Sequence, residues 1–153
     1  MITSARHART LMNIWPPFSF SGIHIDTISD DWTFVRVRMH VRRWNGNMNG
    51  KAFGGSLFSM TDPFFALMAL GQLGEAYFAA NTRAEIEFIR PGRRVMSCEM
   101  RLSADVAAAI AATAKTQGHS TTEHTAEIYC ESGDIVARCT QTLHVSPRRA
   151  TTR

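Results

Sequence analysis

The alternation of apolar and charged side chains predicts that this chain is built around an antiparallel sheet. Between residues 32 and 41, valine and methionine take every second position, and arginine and histidine take most of the positions between them. A period of two is typical of a strand with one face in the core and the other in water. Similar patterns predict strands over 80–89, 95–102, 122–131 and 135–145, and a shorter apolar run predicts one over 22–28.

Other segments predict three helices. A short helix over 4–13 ends before Trp15-Pro16-Pro17, because proline disfavours the helical conformation in the residue before it. The stretch 54–73 predicts one long helix with apolar residues on nearly every face, which we expect to be buried by protein all round. An alanine-rich helix is predicted over 106–117, capped by Ser103 or Asp105 and closed by Gly118.

The order of these elements defines a fold class. Two strands precede the wholly apolar helix, and four strands follow it, so the helix is available to cover the apolar face of the sheet. We therefore expect an α+β protein in which a curled antiparallel sheet surrounds one helix. Residues 1–146 are predicted to form a single domain with a short N-terminal helix, and residues 147–153 a disordered basic tail.

The composition and net charge indicate what kind of domain this is and which partners to expect. The chain has 153 residues, of which 44% are hydrophobic and 20% charged, as expected for a soluble globular domain. Its net charge of +4 is compatible with an anionic ligand, but no nucleic-acid-binding motif accompanies it. The apolar stretch 53–70 is too interrupted by polar residues and proline for a membrane span, and the N-terminus lacks the features of a signal peptide. We expect neither a nucleic acid nor a membrane as partner.

The spacing of the cysteines and histidines predicts the cellular compartment and whether the chain binds a metal. The three cysteines, Cys98, Cys130 and Cys139, lack C-x-x-C spacing and each falls in a strand-like run. This pattern predicts buried reduced thiols in a cytoplasmic protein rather than a disulfide framework. The six histidines form no cluster with metal-ligand spacing, so no metal is expected.

The candidate chemistry lies between residues 47 and 70. A loop rich in glycine and asparagine leads into Gly54-Gly55, and the apolar helix that follows carries one acid, Asp62. Burying a carboxylate is costly unless it has a partner or a function, and backbone N–H groups at a glycine-rich helix start can polarise an oxygen atom. This predicts a small active site in which an acid or base faces an oxyanion-type pocket.

Each of these residues also has a structural interpretation. Asp62-Pro63 is an ordinary sequence for the start of a helix, so the helix can break and restart there. Gly54-Gly55 can mark a close crossing of the backbone. Asn47 can be a turn residue in a loop where asparagine and glycine dominate.

The same segment carries a resemblance to a known family. Asn47, Gly50, Phe53, Gly54, Gly55 and Asp62 fall in the register N-x-x-G-x-x-H-G-G, with the acid nine residues after the histidine position. This register resembles the phenylacetate-pathway type of acyl-CoA thioesterase, which has the hotdog fold. The segments FGGSLFSMTDPFFALM, FIRPGRR and VARCTQTLHV are more similar still to an uncharacterised thioesterase-like branch, a domain of unknown function. The resemblance extends over residues 10–146.

The resemblance implies a curled antiparallel sheet wrapped around one long central helix, and a role for three residues. Asp62 would be the catalytic carboxylate, acting as base or nucleophile. The Gly54 N–H would polarise the thioester carbonyl, and Asn47 would hold the attacking water or orient the substrate. This chain departs from the family's pattern at two positions. Phe53 stands where the relatives usually have histidine, and Ala66 lacks a hydroxyl that some relatives have at that position.

Further residues are candidates for substrate binding. Arginine binds phosphate bidentately, so the cluster Arg90, Arg93 and Arg94 suits the phosphates of coenzyme A, although it can equally be a solvated sheet end. Aromatic and glycine residues near the acid are expected to line the acyl group, or else to belong to the core: Phe53, Gly55, Phe58 and Phe65. The helix over 106–117 can be a lid on this site or a cover for a sheet edge.

Three functions follow in order of preference. The first is an acyl-CoA thioesterase without a cofactor, coenzyme A being part of the substrate, with an acyl carrier protein as the alternative carrier. The second is a non-catalytic protein that binds an acyl group or acyl-CoA. The third is a hydratase or dehydratase, which would need a histidine in the site, and none lies between His40 and His119. Because hotdog relatives act as paired subunits with the site at the interface, we expect a homodimer or a dimer of dimers.

Overall fold

The predicted strands form one sheet in the computed structural model, which describes residues 4–148. In chain order the elements are α1 (Ala5–Ile14), α2 (Pro16–Phe20), β1 (Ile23–Ile28), β2 (Phe34–His40), α3 (Gly54–Ser59), α4 (Phe64–Leu73), β3 (Tyr77–Phe88), β4 (Val95–Arg101), α5 (Ala104–Gln117), β5 (Ser120–Cys130) and β6 (Ile135–Pro147). The strands lie in the order β1-β2-β4-β5-β6-β3, and every neighbouring pair is antiparallel.

The alternating pattern is confirmed by burial. On β2, Val35 and Val37 are fully buried, whereas Arg36 and Arg38 are exposed. The methionines and the cysteine that alternate along β4 are also buried. This apolar face packs on the central helical segment, where Phe64 is completely buried. The predicted fold class, an α+β hotdog fold with a curled antiparallel sheet around a central helix, is confirmed.

The prediction of one unbroken helix over 54–73 is wrong in its middle. α3 ends at Ser59 and α4 begins at Phe64, with a turn between them. Pro63 has no N–H to donate to the Ser59 carbonyl, and the Thr61 amide donates instead to the Phe58 carbonyl at 3.0 Å. The helix breaks and restarts at Asp62-Pro63, as the structural interpretation predicts, but Pro63 is the N-cap of α4 and Asp62 lies in the turn before it.

The central segment is also less enclosed than expected. One face of α4, formed by Ala66, Leu67 and Leu70, is only half-buried in the single chain. α5 packs on β5, β6 and α4, so it covers the interior strands of the sheet and not an edge. The Ser103 hydroxyl caps α5 by accepting a hydrogen bond from the Val106 amide at 3.4 Å, which decides between the two predicted caps.

The C-terminal end of the described residues differs slightly from the expectation. β6 continues through Pro147, and Arg148 donates from its Nε to the Tyr77 carbonyl at 3.0 Å and from its main-chain amide to the Ala76 carbonyl at 2.8 Å. The predicted tail therefore does not begin at 147, and residues 1–3 and 149–153 lie outside the described residues. Among residues 4–148, no helix combines the length and the hydropathy needed to cross a bilayer.

The cysteines are free thiols. Cys98 and Cys139 are buried and Cys130 is half-buried. Burial raises the pKa of Cys98 to about 12 and raises that of Cys139, so both are neutral core side chains.

Candidate active site

Asp62 is held in the turn between α3 and α4 by the neighbouring strand. Its main-chain carbonyl accepts a short hydrogen bond from the Asn81 side-chain Nδ2 on β3. The Asp62 side chain is exposed in the single chain. The expectation of a buried acid is therefore wrong for one chain by itself. Within residues 4–148 neither carboxylate oxygen of Asp62 takes part in a hydrogen bond, so both are available to a substrate, a water molecule or a second chain.

A buried polar cluster on the sheet side of this turn holds it in place. Gln141 on β6 is completely buried, accepts from Asn81 Nδ2 at 3.2 Å through its Oε1, and donates from Nε2 to the Thr61 hydroxyl at 3.4 Å. The Thr61 hydroxyl donates in turn to the Phe58 carbonyl at 2.9 Å. Asn81 Oδ1 is buried and has no hydrogen-bond partner among residues 4–148.

Our sequence reasoning missed this cluster. The available signal was Gln141, a polar residue on the inward face of β6 between Cys139 and Leu143, which are both buried. A polar side chain at a core position of a strand requires a partner, and the partner here is 60 residues away in sequence.

Replacing Asn81 by Ala should destabilise the protein by about 1–3 kcal/mol, because it removes the donor to the Asp62 carbonyl and leaves a buried oxygen of Gln141 unsatisfied. Urea denaturation at fixed protein concentration measures the difference. The matched control is Asn49→Ala, because Asn49 is an exposed loop residue whose side chain makes no hydrogen bond within residues 4–148. Equal midpoints for the two variants would contradict a supporting role for Asn81.

Gly54 begins α3 and has a free amide. The Ser56 and Leu57 amides both donate to the Phe53 carbonyl, at 3.0 and 3.1 Å. The Gly54 and Gly55 amides precede them, and neither donates to another group among residues 4–148. The Phe88 ring lies over Gly54, and a Cβ on this residue would come within 2.9 Å of the ring.

The Gly54 residue opens onto a cleft of about 400 Å³, which we call the Gly54 cleft. Its lining includes the predicted residues Asn47 and Arg90 together with Lys51 and Phe88. Arg90 Nη1 is paired with an Asp134 carboxylate oxygen at 2.9 Å, and its side chain is about half exposed. The cleft thus combines a free backbone donor with two cationic side chains.

Asn47 belongs to this cleft, but its side chain holds its own loop. Its Oδ1 accepts from the Asn49 and Lys51 amides at 2.9 and 3.0 Å, and its Nδ2 donates to the Ala52 carbonyl at 3.4 Å. These are the contacts of a turn residue. They fix the loop that leads into Gly54.

The other two arginines are not brought to the Gly54 cleft. Arg94 is exposed, has a left-handed φ of 62°, and places its Nε 3.5 Å from a Glu131 carboxylate oxygen. Arg93 is exposed and does not line the cleft. Of the three predicted phosphate-binding residues, only Arg90 lies beside Gly54.

The aromatic residues that were predicted to line the acyl group also lie in different environments. Phe65 is buried in the core and stacks on the His124 ring at 4.9 Å between centroids, so in the single chain it takes the core position that was the alternative to substrate binding. Burial lowers the pKa of His124, which favours the neutral ring in this stack. Phe58 is half-buried, and Phe53 is 55% exposed with its ring against Gly55.

Asp62 lies on a different cleft, of about 460 Å³, which we call the Asp62 cleft. Its lining consists of Met12, Trp15, Asp62, Pro63, Ala66, Leu67, Leu70 and Asn81. Gly54 is not part of it, so within one chain the acid and the glycine amide open onto separate clefts.

The family follows from comparison with known sequences. The model of a domain of unknown function, DUF4442, matches residues 3–145. The chain belongs to the DUF4442 family. None of the curated protein sequences matches it significantly.

Solved structures share the fold of this DUF4442 protein. A Pseudomonas aeruginosa protein of unknown function, described as a probable thioesterase, superposes with a TM-score of 0.84 at 20% identity, covering 97% of this chain and 99% of that one. The Haemophilus influenzae thioesterase HI1161 gives a TM-score of 0.70 at 14% identity, covering 100% and 97%. A hypothetical thioesterase from Streptococcus pneumoniae, solved with coenzyme A, gives 0.60 at 21% identity, covering 86% and 94%. At these identities the likeness establishes the hotdog fold.

The two clefts of the DUF4442 chain lie along one open strand. β3 has 12 residues and lies at the end of the sheet, and within residues 4–148 it is hydrogen-bonded to no strand other than β6. Asn81, which holds Asp62, lies near its start, and Phe88, which covers Gly54, is its last residue. A long open edge with an exposed Phe78 and Phe88 is a ready template for pairing with another strand.

Proposed function

We propose that this DUF4442 protein is an acyl-CoA thioesterase whose active sites form between two copies of the chain. The observation that carries the proposal is the placement of Asp62 and the free Gly54 amide at two points along the same unpaired strand, β3. Neighbouring structures called thioesterases, one of them with coenzyme A, support the reaction class.

A two-fold arrangement would bring the two groups together. If β3 pairs antiparallel with β3 of a second copy around Glu85, then Ala84 faces Ile86 of that copy. The bulge between Asn81 and Arg83 then sets Asn81 opposite Phe88. Asp62 of each copy would thereby approach Gly54 of the other, giving two equivalent sites.

The charges on the outer face of β3 are compatible with this register. Arg83, Glu85 and Glu87 are all exposed there. Pairing around Glu85 places Arg83 opposite Glu87 of the second copy twice per dimer, which is stabilising, and places Glu85 opposite Glu85 of that copy once, which is destabilising, so the opposite-charge pairs outnumber the like-charge pair. The same contact would cover the exposed ring of Phe88.

The chemistry then requires only these groups and water. The Asp62 carboxylate removes a proton from water that attacks the thioester carbonyl carbon, or attacks that carbon itself to give an anhydride that water hydrolyses. The Gly54 N–H donates to the carbonyl oxygen as it becomes negative. The carbon–sulfur bond breaks, and the products are a carboxylic acid and the thiol of coenzyme A. Arg90 and Lys51 would attract the phosphates of the nucleotide.

A thiol-release assay tests the proposal. We expect the purified protein to liberate free thiol from acyl-CoA esters well above the uncatalysed rate, and acyl carrier protein thioesters measured in parallel show whether the carrier matters. An assay for double-bond absorbance on enoyl-CoA is the control for hydration chemistry, for which neither cleft offers a histidine within the described residues. Absence of thiol release with every ester would contradict the proposal.

A second candidate, an acyl-CoA-binding protein without turnover, is favoured by two observations. Both the Oδ1 and the Nδ2 of Asn47 form hydrogen bonds within its own loop. Phe53 occupies the position where the resemblance implies a histidine. Saturable binding of acyl-CoA without thiol release would favour this candidate over the enzyme.

A further inference from the structure

The Asp62 cleft has a chemical character of its own. Apart from Asp62 and Asn81, its lining is wholly apolar, and it includes no lysine, arginine or histidine. Ala66, one turn after the acid, contributes only a methyl group to the lining. A charged or strongly polar group in this cleft would find no partner beyond the site itself.

The wall formed by the N-terminal helices is firmly attached. The Asn13 side chain donates to the Ile25 carbonyl at 3.0 Å and accepts from the Ile25 amide at 2.7 Å, which fixes the end of α1 to β1. The Trp15 ring packs on Phe18 at 5.3 Å between centroids, and Phe18 packs on Phe64 of α4 at 6.1 Å. Trp15 is thereby held as one side of the cleft, although half of it remains exposed.

The opposite wall is the half-buried face of α4. Leu67 and Leu70 are partly buried apolar side chains that line the cleft and face no polar partner there. Apolar side chains on both walls, with a carboxylate at one end, suit an aliphatic chain attached to the group on which the carboxylate acts. A volume of about 460 Å³ is within the range of small-molecule sites.

We propose that the Asp62 cleft binds the acyl chain of the substrate and selects uncharged aliphatic chains, with an affinity that rises with chain length. This inference rests on the proposed function, because it assigns the acyl half of the same substrate. The nucleotide half belongs to the cationic Gly54 cleft, and the chain runs from Asp62 between Trp15 and the α4 face. Each methylene group added to the acyl chain is transferred from water to this apolar surface.

Binding of unreactive analogues tests the inference without requiring turnover. S-butyl to S-decyl thioethers of coenzyme A lack the carbonyl and cannot be hydrolysed, and their affinities are measured by calorimetry and by tryptophan fluorescence. We expect the Kd to fall about fourfold per methylene until the cleft is filled. Coenzyme A alone gives the baseline for the nucleotide half.

Two variants locate the binding surface. Ala66→Phe fills the cleft and should abolish most of the gain from chain length while leaving the affinity for coenzyme A unchanged. Trp15→Ala removes one wall and should weaken the S-decyl analogue more than the S-butyl analogue. The matched control, Ala112→Phe, adds the same ring to an exposed position of α5 and should keep the wild-type dependence. Thermal unfolding verifies that each variant is folded.

The outcomes separate the two proposals. A flat dependence on chain length in the wild type, a wild-type dependence in Ala66→Phe, or tighter binding of ω-carboxyalkyl analogues would overturn the acyl-chain assignment. None of these results depends on catalysis. Absence of thiol release from every ester would instead remove the proposed function while the length dependence of binding stood.

Discussion

The Asp62→Asn variant should hydrolyse acyl-CoA esters about 10²–10⁴ times more slowly than the wild type, the range for loss of a general base. Asparagine has nearly the same shape but cannot take a proton from water or form an anhydride. The fold should be unaffected, because the hydrogen bond from Asn81 is made to the main-chain carbonyl of residue 62 and not to its carboxylate. The measurement is kcat for thiol release at saturating ester.

The control for charge is Asp30→Asn, which neutralises an exposed acid in the turn between β1 and β2, outside the lining of both clefts. Its kcat should match the wild type. If Asp62→Asn kept the full rate, the carboxylate would have no part in the chemistry, and the assignment of Asp62 as base or nucleophile would be wrong.

Replacing Gly54 by Pro should lower kcat by about 10²–10³, the usual effect of removing one oxyanion donor. Proline lacks the N–H, yet it is well tolerated at the first position of a helix, which Gly54 occupies in α3. Phe53 already has the extended conformation, with φ −71° and ψ 128°, that a residue before proline prefers. The substitution therefore removes the donor with little change to the backbone.

Gly54→Ala is the matched control. It places a Cβ against the same exposed Phe88 ring, as proline does, but it keeps the amide hydrogen. A large loss in the proline variant together with a small loss in the alanine variant assigns the effect to the N–H. Equal losses would mean that the ring contact matters and the donor does not.

Hybrids of the two defective chains test whether the sites are shared. A dimer isolated with one Asp62→Asn chain and one Gly54→Pro chain, each with a different affinity tag, holds one site with both groups intact and should recover about half of the wild-type rate. Hybrids as inactive as the parent variants would show that both groups act within one chain.

The sheet was predictable because burial on one face imposes a period of two on the sequence. β2 follows that pattern with valine and methionine between arginines, and β4 follows it with methionine and cysteine between polar residues. The pairing of β2 with β4 was not predictable in this way, because two helices and β3 separate them in the chain. The central helical segment was recognisable from its composition, and its position between strands indicated what it covers.

The site was less predictable, because an apolar composition does not distinguish a core side chain from a cleft side chain. Phe65 and Leu67 look alike in the sequence, yet one is buried against His124 and the other lines the Asp62 cleft. The support of Asp62 by Asn81 and Gln141 joins three segments that are far apart in the chain. No local pattern reports such contacts.

The open edge of β3 gives the proposed enzyme an unusual dependence on its own abundance. If each site needs a strand from two molecules, dilution below the dissociation constant of the pair turns off both sites at once, and the rate then rises with the square of the chain concentration. A cell that makes little of this protein would carry an inert pool of it, and modest overproduction would switch on hydrolysis steeply.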